Sequence, residues 1–419
     1  MNVIKQTLLI VSIACCCNAM GQALTLDSAY RLARNNYPLI KQRELLKQTA
    51  DITIDNINKG YLPQISFNGQ ATYQSDVTKI DIPIPGLAIN PLSKDQYRVT
   101  ADVNQLLYDG GALREQKNVQ QLNAVTEEQK LEVELYKLRD RINNLFMGIL
   151  LTDEQIIQAQ IMKADLENGI KKVEAQVENG TAFRSNLNSL KAESLKADQR
   201  IIELVSNRES LINILSVFVG KELPKDIVFE KPFSPGINNE IARPELELFT
   251  AQEKLIDHQN KLLKAKNLPR ASAFLQSGYG RPGLNMLKNQ FDLFYITGLR
   301  FNWSLNGLYT FKNDKQLINI SKRNIEIQKE TFLLNTNSLL VQQRSEIKKY
   351  EQLISTDNQI IDLRKSVKEA ALAQLDNGVI TSSDYLREVN AEDQSRLTLI
   401  THRLQLLQEK LNYQNITGK

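Results

Sequence analysis

The distribution of proline constrains this 419-residue chain most, because it leaves two long segments in which helices can run without interruption. The sequence holds 11 prolines, yet none lies between Pro91 and Pro224 and none follows Pro282. Proline lacks a backbone donor and clashes with the preceding turn, so it breaks helix interiors. Long helices are therefore predicted in these two proline-free segments.

Both proline-free segments carry an apolar residue at every seventh position. In the first segment these are Leu135, Ile142, Ile149 and Ile156. In the second segment they are Leu333, Leu340, Ile347, Ile354 and Ile361. A sustained seven-residue repeat is typical of helices that pack in supercoiled pairs. Residues 112–177 alone would form roughly 100 Å of helix, which is a rod and not a helix of a globular core.

Each segment is interrupted once by an Asn-Gly pair, Asn179-Gly180 in the first and Asn377-Gly378 in the second. Glycine readily adopts the left-handed conformation that ends a helix, and the Ser, Thr, Asn and Asp residues that follow favour a new helix start. Each segment is therefore predicted to be a helical hairpin with a tight tip, near 179–181 and near 377–379.

The proline-containing stretches alternate apolar and polar residues. The alternation is clear at 64–74 and 96–104, and weaker at 271–279 and 291–303. A strongly polar face opposite an apolar one, with aromatic residues near the ends, is typical of transmembrane barrel strands. A half-buried sheet of a soluble protein also alternates, so this pattern alone leaves both interpretations open.

The two halves of the chain repeat one order of parts. Leu62-Pro63 and Tyr73 in the first half correspond to Leu268-Pro269 and Tyr279 in the second half, at one constant offset along the chain. We predict a first repeat at 22–220 and a second at 244–419, each with a helix, two strands and a long helical hairpin, joined by a linker at 221–243. Four strands cannot close a barrel, and open edges are not tolerated in lipid, so several chains would have to share one barrel.

The first 21 residues are predicted to be a signal peptide. Lys5 precedes an apolar run from Thr7 to Cys17, and small residues then fit cleavage after Gly21 or Ala23. A lipoprotein signal that uses Cys15 is the alternative. All three cysteines lie in this leader, which is compatible with export to an oxidising compartment.

The remaining composition points away from bond chemistry. The sequence has two histidines, His258 and His402, and we interpret both as solvated helix positions. No catalytic residue, cofactor or metal ligand is predicted, so the chain is predicted not to be an enzyme. A net charge of +4 spread over this length gives no indication of a nucleic-acid partner.

The whole mature chain resembles the TolC-like outer-membrane efflux proteins, also called outer membrane factors. The resemblance rests on the duplicated order, on Tyr37-Pro38 and Arg243-Pro244 at the helix starts, and on the two tip sequences at 178–186 and 376–386. It implies a homotrimer in which four strands per chain complete a shared 12-stranded transmembrane β-barrel. Duplicated helical hairpins would form a long α-barrel in the periplasm of a Gram-negative bacterium.

The implied function is a passive tunnel of a tripartite efflux or type I secretion system, set in outer-membrane lipid. The implied partners are a periplasmic membrane-fusion (adaptor) protein and an inner-membrane transporter of the RND, ABC or MFS type. An exported coiled-coil structural protein or adhesin stalk is the alternative. It accounts for the leader and the seven-residue repeat, but not for alternating strands at matching places in both halves.

The resemblance also assigns site residues. It gives adaptor contacts to the two tips, Asn179, Gly180, Thr181, Asn377, Gly378 and Val379. It places Asp384 at the narrow periplasmic entrance, where three copies would form an acidic ring. Asp384 also lies three residues after Thr381, so it equally fits a capping box for the return helix.

The chain departs from the family pattern at the other entrance positions. Asn186 holds the position matching Asp384 in the first half, and Arg387 holds a second ring position that is acidic elsewhere. Leu375 and Ile380 stand where a tyrosine and an arginine latch some members shut. A gate in this chain need not use the same bonds.

Overall fold

The structure is a computed structural model that describes residues 23–78, 91–233 and 236–418. The helices are α1 (Leu26–Asn36), α2 (Gln42–Asn58), α3 (Ala112–Tyr136), α4 (Leu138–Glu178), α5 (Arg184–Val219), α6 (Pro244–Lys266), α7 (Asn306–Asp376) and α8 (Ser382–Thr417). The strands are β1 (Gln64–Tyr73), β2 (Asp95–Tyr108), β3 (Arg270–Arg281) and β4 (Asp292–Asn302). The predicted leader, with Cys15 and Gly21, lies outside the described residues.

The predicted combination of long helices and a few strands is confirmed. The proline-free segments form α3–α5 and α7–α8, and α7 runs for 71 residues without a break. Lys137, between α3 and α4, keeps helical backbone angles of φ −61° and ψ −20°. Among the helices of the described ranges, none is both long and apolar enough to cross a membrane.

The chain divides into two compact units that do not follow the two sequence halves. One, the helical unit, comprises the described residues within 23–41, 131–244 and 331–418. The other, the sheet unit, comprises the described residues within 42–130 and 245–330. Each unit therefore combines segments from both halves of the chain.

Several positions of the seven-residue repeat lie in the core of the helical unit. Ile142 and Ile149 on α4 are fully buried, and Leu340, Ile347 and Ile361 on α7 are 2–8% exposed. Removing such a side chain from water contributes about 1.5–3 kcal/mol, so these positions stabilise the packing of the helices. The predicted linker also packs into this core, because Phe229 meets Phe146 edge to face at 5.2 Å.

The sheet unit contains an antiparallel sheet in the order β1-β2-β3-β4. One face is apolar and open, with Phe67 79%, Val99 61% and Leu299 79% exposed. The other face is polar, and there Asn68, Thr100 and Gln276 all donate hydrogen bonds to Asp102. Within the described ranges, β1 and β4 each pair with one strand, so both edges of the sheet are open.

Both histidines differ from the prediction that they are solvated. His258 Nδ1 lies 3.0 Å from Glu115 Oε2 in the sheet unit. His402 Nδ1 lies 2.6 Å from Asp357 Oδ2 in the helical unit, and Asp357 is only 7% exposed. Burying a carboxylate without a partner is costly, so His402 satisfies Asp357 inside the helix packing. The sequence did not indicate this because the two residues lie on different helices.

Candidate functional site: the two helical tips

The first tip ends α4 with a glycine in the left-handed conformation. Gly180 has φ 73°, its N–H donates to Val177 O at 3.1 Å, and Thr181 N–H donates to Gln176 O at 2.8 Å. These two bonds are a Schellman motif, which satisfies carbonyls that the helix end would otherwise leave free. Asn179, Gly180 and Thr181 are all exposed.

The second tip ends α7 with the same bonds at matching positions. Gly378 has φ 70°, its N–H donates to Leu375 O at 3.0 Å, and Val379 N–H donates to Gln374 O at 2.9 Å. Asn377 adds a side-chain bond from Nδ2 to Ala373 O at 2.8 Å. Asn377, Gly378 and Val379 are exposed, and Val379 is 71% exposed. The predicted turn chemistry of both tips is thus present.

The return helices begin differently at the two tips. α8 starts with a capping box in which Thr381 Oγ1 accepts from Asp384 N, and Asp384 Oδ2 accepts from Thr381 N at 3.2 Å. α5 starts after Phe183, which provides no side-chain cap and is 80% exposed. Sequence reasoning missed Phe183, although an exposed phenylalanine beside a tip is a large apolar contact surface.

Asp384 is confirmed as a capping residue, while its place at an entrance stays a prediction. Hydrogen bonds from the Thr381 hydroxyl and backbone N–H lower the pKa of the Asp384 carboxyl below its usual range, and the nearby Arg387 charge adds to this. The carboxylate is therefore charged at neutral pH. A charged side chain at the first turn of a helix also interacts favourably with the positive end of the helix dipole.

The structure brings only some of the predicted entrance residues together. Arg387 lies one turn after Asp384, with its side chain 72% exposed and its Nε 3.2 Å from Glu388 Oε1. Asn186 lies at the start of α5, where its N–H donates to Phe183 O at 3.0 Å. Asp384 and Arg387 therefore form one charged surface, and Asn186 belongs to the other tip.

The two tips are fastened to each other. Gln176 Nε2 donates to the backbone oxygens of Leu375 and Asp376, at 3.2 and 3.3 Å. Lys172 Nζ lies 2.7 Å from Asp376 Oδ2. Beneath the turns, Tyr385 is 2% exposed and packs with residues of all four helices. The two tips are thus held next to each other on one apolar cluster around Tyr385, which we call the packed base.

The two positions that the resemblance matches to a latch, Leu375 and Ile380, are part of this packed base. Leu375 is 3% exposed, and Ile380 is a partly buried member of the same apolar cluster. Apolar side chains have no polar atoms to bond, so these two positions contribute packing only. The sequence indicated this directly through the residue types.

A buried ionic cluster lies beside the packed base on the same helices, and sequence reasoning missed it. Lys368 Nζ on α7 lies 2.7 Å from Asp165 Oδ2 on α4 and 2.6 Å from Glu392 Oε2 on α8. Arg396 adds a second cation at 2.6 Å from Glu392. The Glu392 side chain is only 4% exposed. Lys368 thereby joins three helices of the two hairpins.

The opposite charges of the cluster keep Glu392 and Lys368 ionised although both are largely buried. Burial alone would raise the pKa of Glu392, but hydrogen bonds from Lys368 and Arg396 outweigh it and lower that pKa. Burial would lower the pKa of Lys368, and its bonds to Asp165 and Glu392 raise it instead. The i,i+4 spacing of Glu392 and Arg396 was visible in the sequence. The contact of Lys368 with Asp165, 203 residues away, was not.

A second buried carboxylate lies beside the cluster. Asp393 is 7% exposed and accepts from Gln158 Nε2 on α4 and from Arg200 Nη1 on α5, both at 3.0 Å. Within the described ranges, no group of three or more potential ligand side chains is placed to hold a metal ion. The polar groups of this region are engaged in holding helices together.

No protein-family model and no curated protein sequence matches this chain. The fold is similar to that of the outer membrane protein VceC from the pathogen Vibrio cholerae, with a TM-score of 0.66 and 12% identity over 94% of this chain and 96% of that one.

Two further solved structures are similar in fold to this chain. The open state of the MtrE outer membrane channel of Neisseria gonorrhoeae gives a TM-score of 0.66 at 13% identity, over 94% of this chain and 89% of that one. The CmeC outer membrane channel of Campylobacter jejuni gives 0.63 at 13% identity, over 94% and 85%. The TolC-like fold expected from the sequence is confirmed.

Proposed function

We propose that this chain is one subunit of a homotrimeric outer-membrane channel that conducts solutes passively. The two-sided sheet with its two open edges carries the proposal. Sheets of soluble proteins cover their apolar face, whereas Phe67, Val99 and Leu299 here are mostly exposed. Such an exposed apolar face is suited to contact lipid, and the polar face of the same sheet would then line a lumen.

The open edges support a barrel shared between chains. Unpaired backbone groups at β1 and β4 are costly in lipid, so each edge needs a strand from another copy. Pairing of β1 with β4 of a neighbour closes the sheet, and three copies give twelve strands. The fold similarity to outer-membrane channels favours this arrangement over an adhesin stalk, which needs no such sheet.

The tips support a place in a tripartite efflux or secretion system. Two exposed turns lie side by side on a packed base, and this surface would serve as a docking site in the periplasm. An adaptor would contact Asn179–Thr181 and Asn377–Val379, with Phe183 as an added apolar contact. An inner-membrane transporter of the RND, ABC or MFS type would provide the energy. Asp384 and Arg387 would line the entrance.

The native mass of the mature protein extracted in detergent tests the channel proposal. We expect a particle of three chains after correction for bound detergent. A chain that leaves the membrane without detergent, as an elongated monomer or dimer, would contradict the proposal and favour the stalk.

A matched pair of variants tests which face meets lipid. Phe67 and Ser66 are neighbours on β1 and point to opposite faces. Phe67→Arg should prevent trimer assembly, at a cost of about 2–4 kcal/mol per chain near the bilayer midplane. Ser66→Arg on the polar face should assemble normally. Equal assembly of both variants in membrane fractions would reject the assignment of the faces.

A further inference from the structure

The polar face of the sheet carries two reciprocal pairs of phenylalanine and glycine. Phe274 on β3 lies opposite Gly298 on β4, and Gly278 on β3 lies opposite Phe294 on β4. A Cβ at 278 would lie 2.5 Å from Phe294 Cζ, and one at 298 would lie 3.2 Å from Phe274 Cε1. Each ring therefore lies on the backbone surface that its glycine leaves free.

An arginine covers the open side of each ring. Arg98 Cζ lies 5.5 Å from the ring centre of Phe294, and Arg300 Cζ lies 4.7 Å from that of Phe274. Both distances suit a cation–π contact. Phe294 is only 8% exposed, while both arginines are exposed. The stacking holds each guanidinium on the polar face and leaves it accessible to solutes.

One carboxylate lies between the two arginine positions. Asp102 is opposite Gln276, which lies between Phe274 and Gly278 on β3. It accepts hydrogen bonds from the neutral donors Asn68, Thr100 and Gln276, at 2.7, 2.9 and 2.5 Å. The two rings are four residues apart along the strands, which is roughly 13 Å. The charges along this direction are positive, negative, positive.

Arg98, Arg300 and Asp102 together give the polar face one excess positive charge, and the remaining charged residues of that face do not change it. Arg270 and Asp292 share the face, at opposite ends of β3 and β4, and balance each other in number. The central band thus keeps one excess positive charge per chain. In three copies around a lumen, low-dielectric walls would concentrate that field on passing ions.

We propose that Arg98 and Arg300 line the permeation path and give it a preference for anions, with carboxylate-bearing and other small anionic solutes as the favoured class. The inference rests on the proposed channel function. Rings of charged side chains select ions by sign, and a guanidinium pairs well with carboxylates. Asp102 opposes the arginines and weakens the preference.

Reversal potentials in planar bilayers, measured with purified trimers in a gradient of potassium chloride, test this assignment. The wild-type reversal potential should lie toward the chloride equilibrium potential. Arg98→Gln, Arg300→Gln and the double variant should shift it toward the potassium side, with the largest shift in the double variant. Asp102→Asn should shift it the opposite way. Arg98→Lys and Arg300→Lys keep the charge and should retain the anion preference.

Arg281→Gln is the matched control. Arg281 also lies over aromatic rings, 5.5 Å from Tyr97 and 5.4 Å from Phe291, and pairs with Asp95. It belongs to the apolar face, because it lies opposite Tyr97 in the register. Its removal should leave the reversal potential unchanged. A shift as large as that of the double variant would overturn the assignment to Arg98 and Arg300.

The outcomes separate the inference from the channel proposal. Conducting channels whose reversal potential is unchanged in the double variant would overturn the role of the arginines and leave the channel intact. Wild-type trimers that never conduct would reject both. If the glutamine variants fail to assemble, Asp102→Asn gives the same test with the opposite sign. The preference should also weaken toward about 1 M salt, where screening acts within roughly 3 Å.

Discussion

The two tips share one turn and differ in how the next helix begins. Gly180 and Gly378 have φ 73° and 70° and take part in the same pair of backbone bonds. α8 then starts with the Thr381–Asp384 capping box, whereas α5 starts after Phe183 without a side-chain cap. The turn allows little variation, because only a left-handed residue closes it. The helix start tolerates a change from a polar cap to an exposed apolar side chain.

This difference predicts that the two tips differ in their dynamics and in their response to a partner. At the second tip the Thr381 side chain accepts from Asp384 N, which stabilises the start of α8. At the first tip no side chain caps the start of α5, where Asn186 N–H donates to the backbone oxygen of the exposed Phe183 instead. We therefore expect the first tip to be the more dynamic one and the one more strongly changed by a docked partner.

The first prediction has the largest expected effect. It tests whether the buried ionic cluster, and not the capping box, holds the second hairpin in place. Lys368→Met leaves Asp165 and Glu392 without their shared cation and should destabilise the helical unit by about 2 kcal/mol, below the ~3–5 of a fully buried pair. The thermal midpoint of the detergent-solubilised protein measures this loss. Lys365→Met, one turn away and exposed, is the control. If the two variants have equal midpoints, the cluster does not brace the hairpin.

The second prediction tests the similarity of the two turns. Gly180→Ala and Gly378→Ala each place a Cβ in open space, so only the left-handed backbone is disfavoured, by about 1–2 kcal/mol. Hydrogen exchange of the last turns of α4 and α7 should rise equally in the two variants. An effect at one tip only would break the comparison.

The third prediction tests the difference between the helix starts. Thr381→Ala should cost about 1 kcal/mol and raise hydrogen exchange in the first turn of α8. Phe183→Ser supplies the missing cap and should lower exchange in the first turn of α5. Phe183→Ala, which removes the ring without adding a cap, is the control. No change with serine would mean that the start of α5 is already satisfied in another way.

The smallest expected effect is a pH dependence confined to the second tip. The pKa of Asp384 is lower in the folded chain than its usual 3.8, so its contribution is fully present above that value and is lost as the pH falls through the folded pKa. Protection of the first turn of α8 should therefore decrease as the pH falls below about 4, while that of α5 should not. Asp384→Asn should remove this dependence. An equal decrease at both tips would assign it to other groups.

The sequence predicted what depends on local pattern. The spacing of Ile142 and Ile149 identified the helix seam, and the alternation around Phe67 identified β1 and its faces. The Asn-Gly pairs identified both turns, because the left-handed glycine is a local requirement. These features depend on neighbours within a few residues, so they can be read without a structure.

What depends on register between distant segments was not predictable. The contact between Lys368 and Asp165 requires the packing of α7 on α4, and that of His402 with Asp357 requires the pairing of α8 with α7. The Phe274–Gly298 pair requires the register of β3 with β4, since a slip of one residue would move the ring to the other face. A single sequence contains these residue types but not their alignment.

The division into two units has a consequence for biogenesis. The core of the helical unit packs Leu24 and Leu26, near the start of the chain, with Leu404 and Leu411 of the last helix. Cores that join distant segments fold slowly, because loop closure costs entropy before the contacts form. α1 packs on α4 and α5, so the first half of the chain covers its own first helix, and α8 then covers the remaining apolar side chains of α4. We expect a chain truncated before α8 to expose that part of α4, a surface prone to aggregate before assembly.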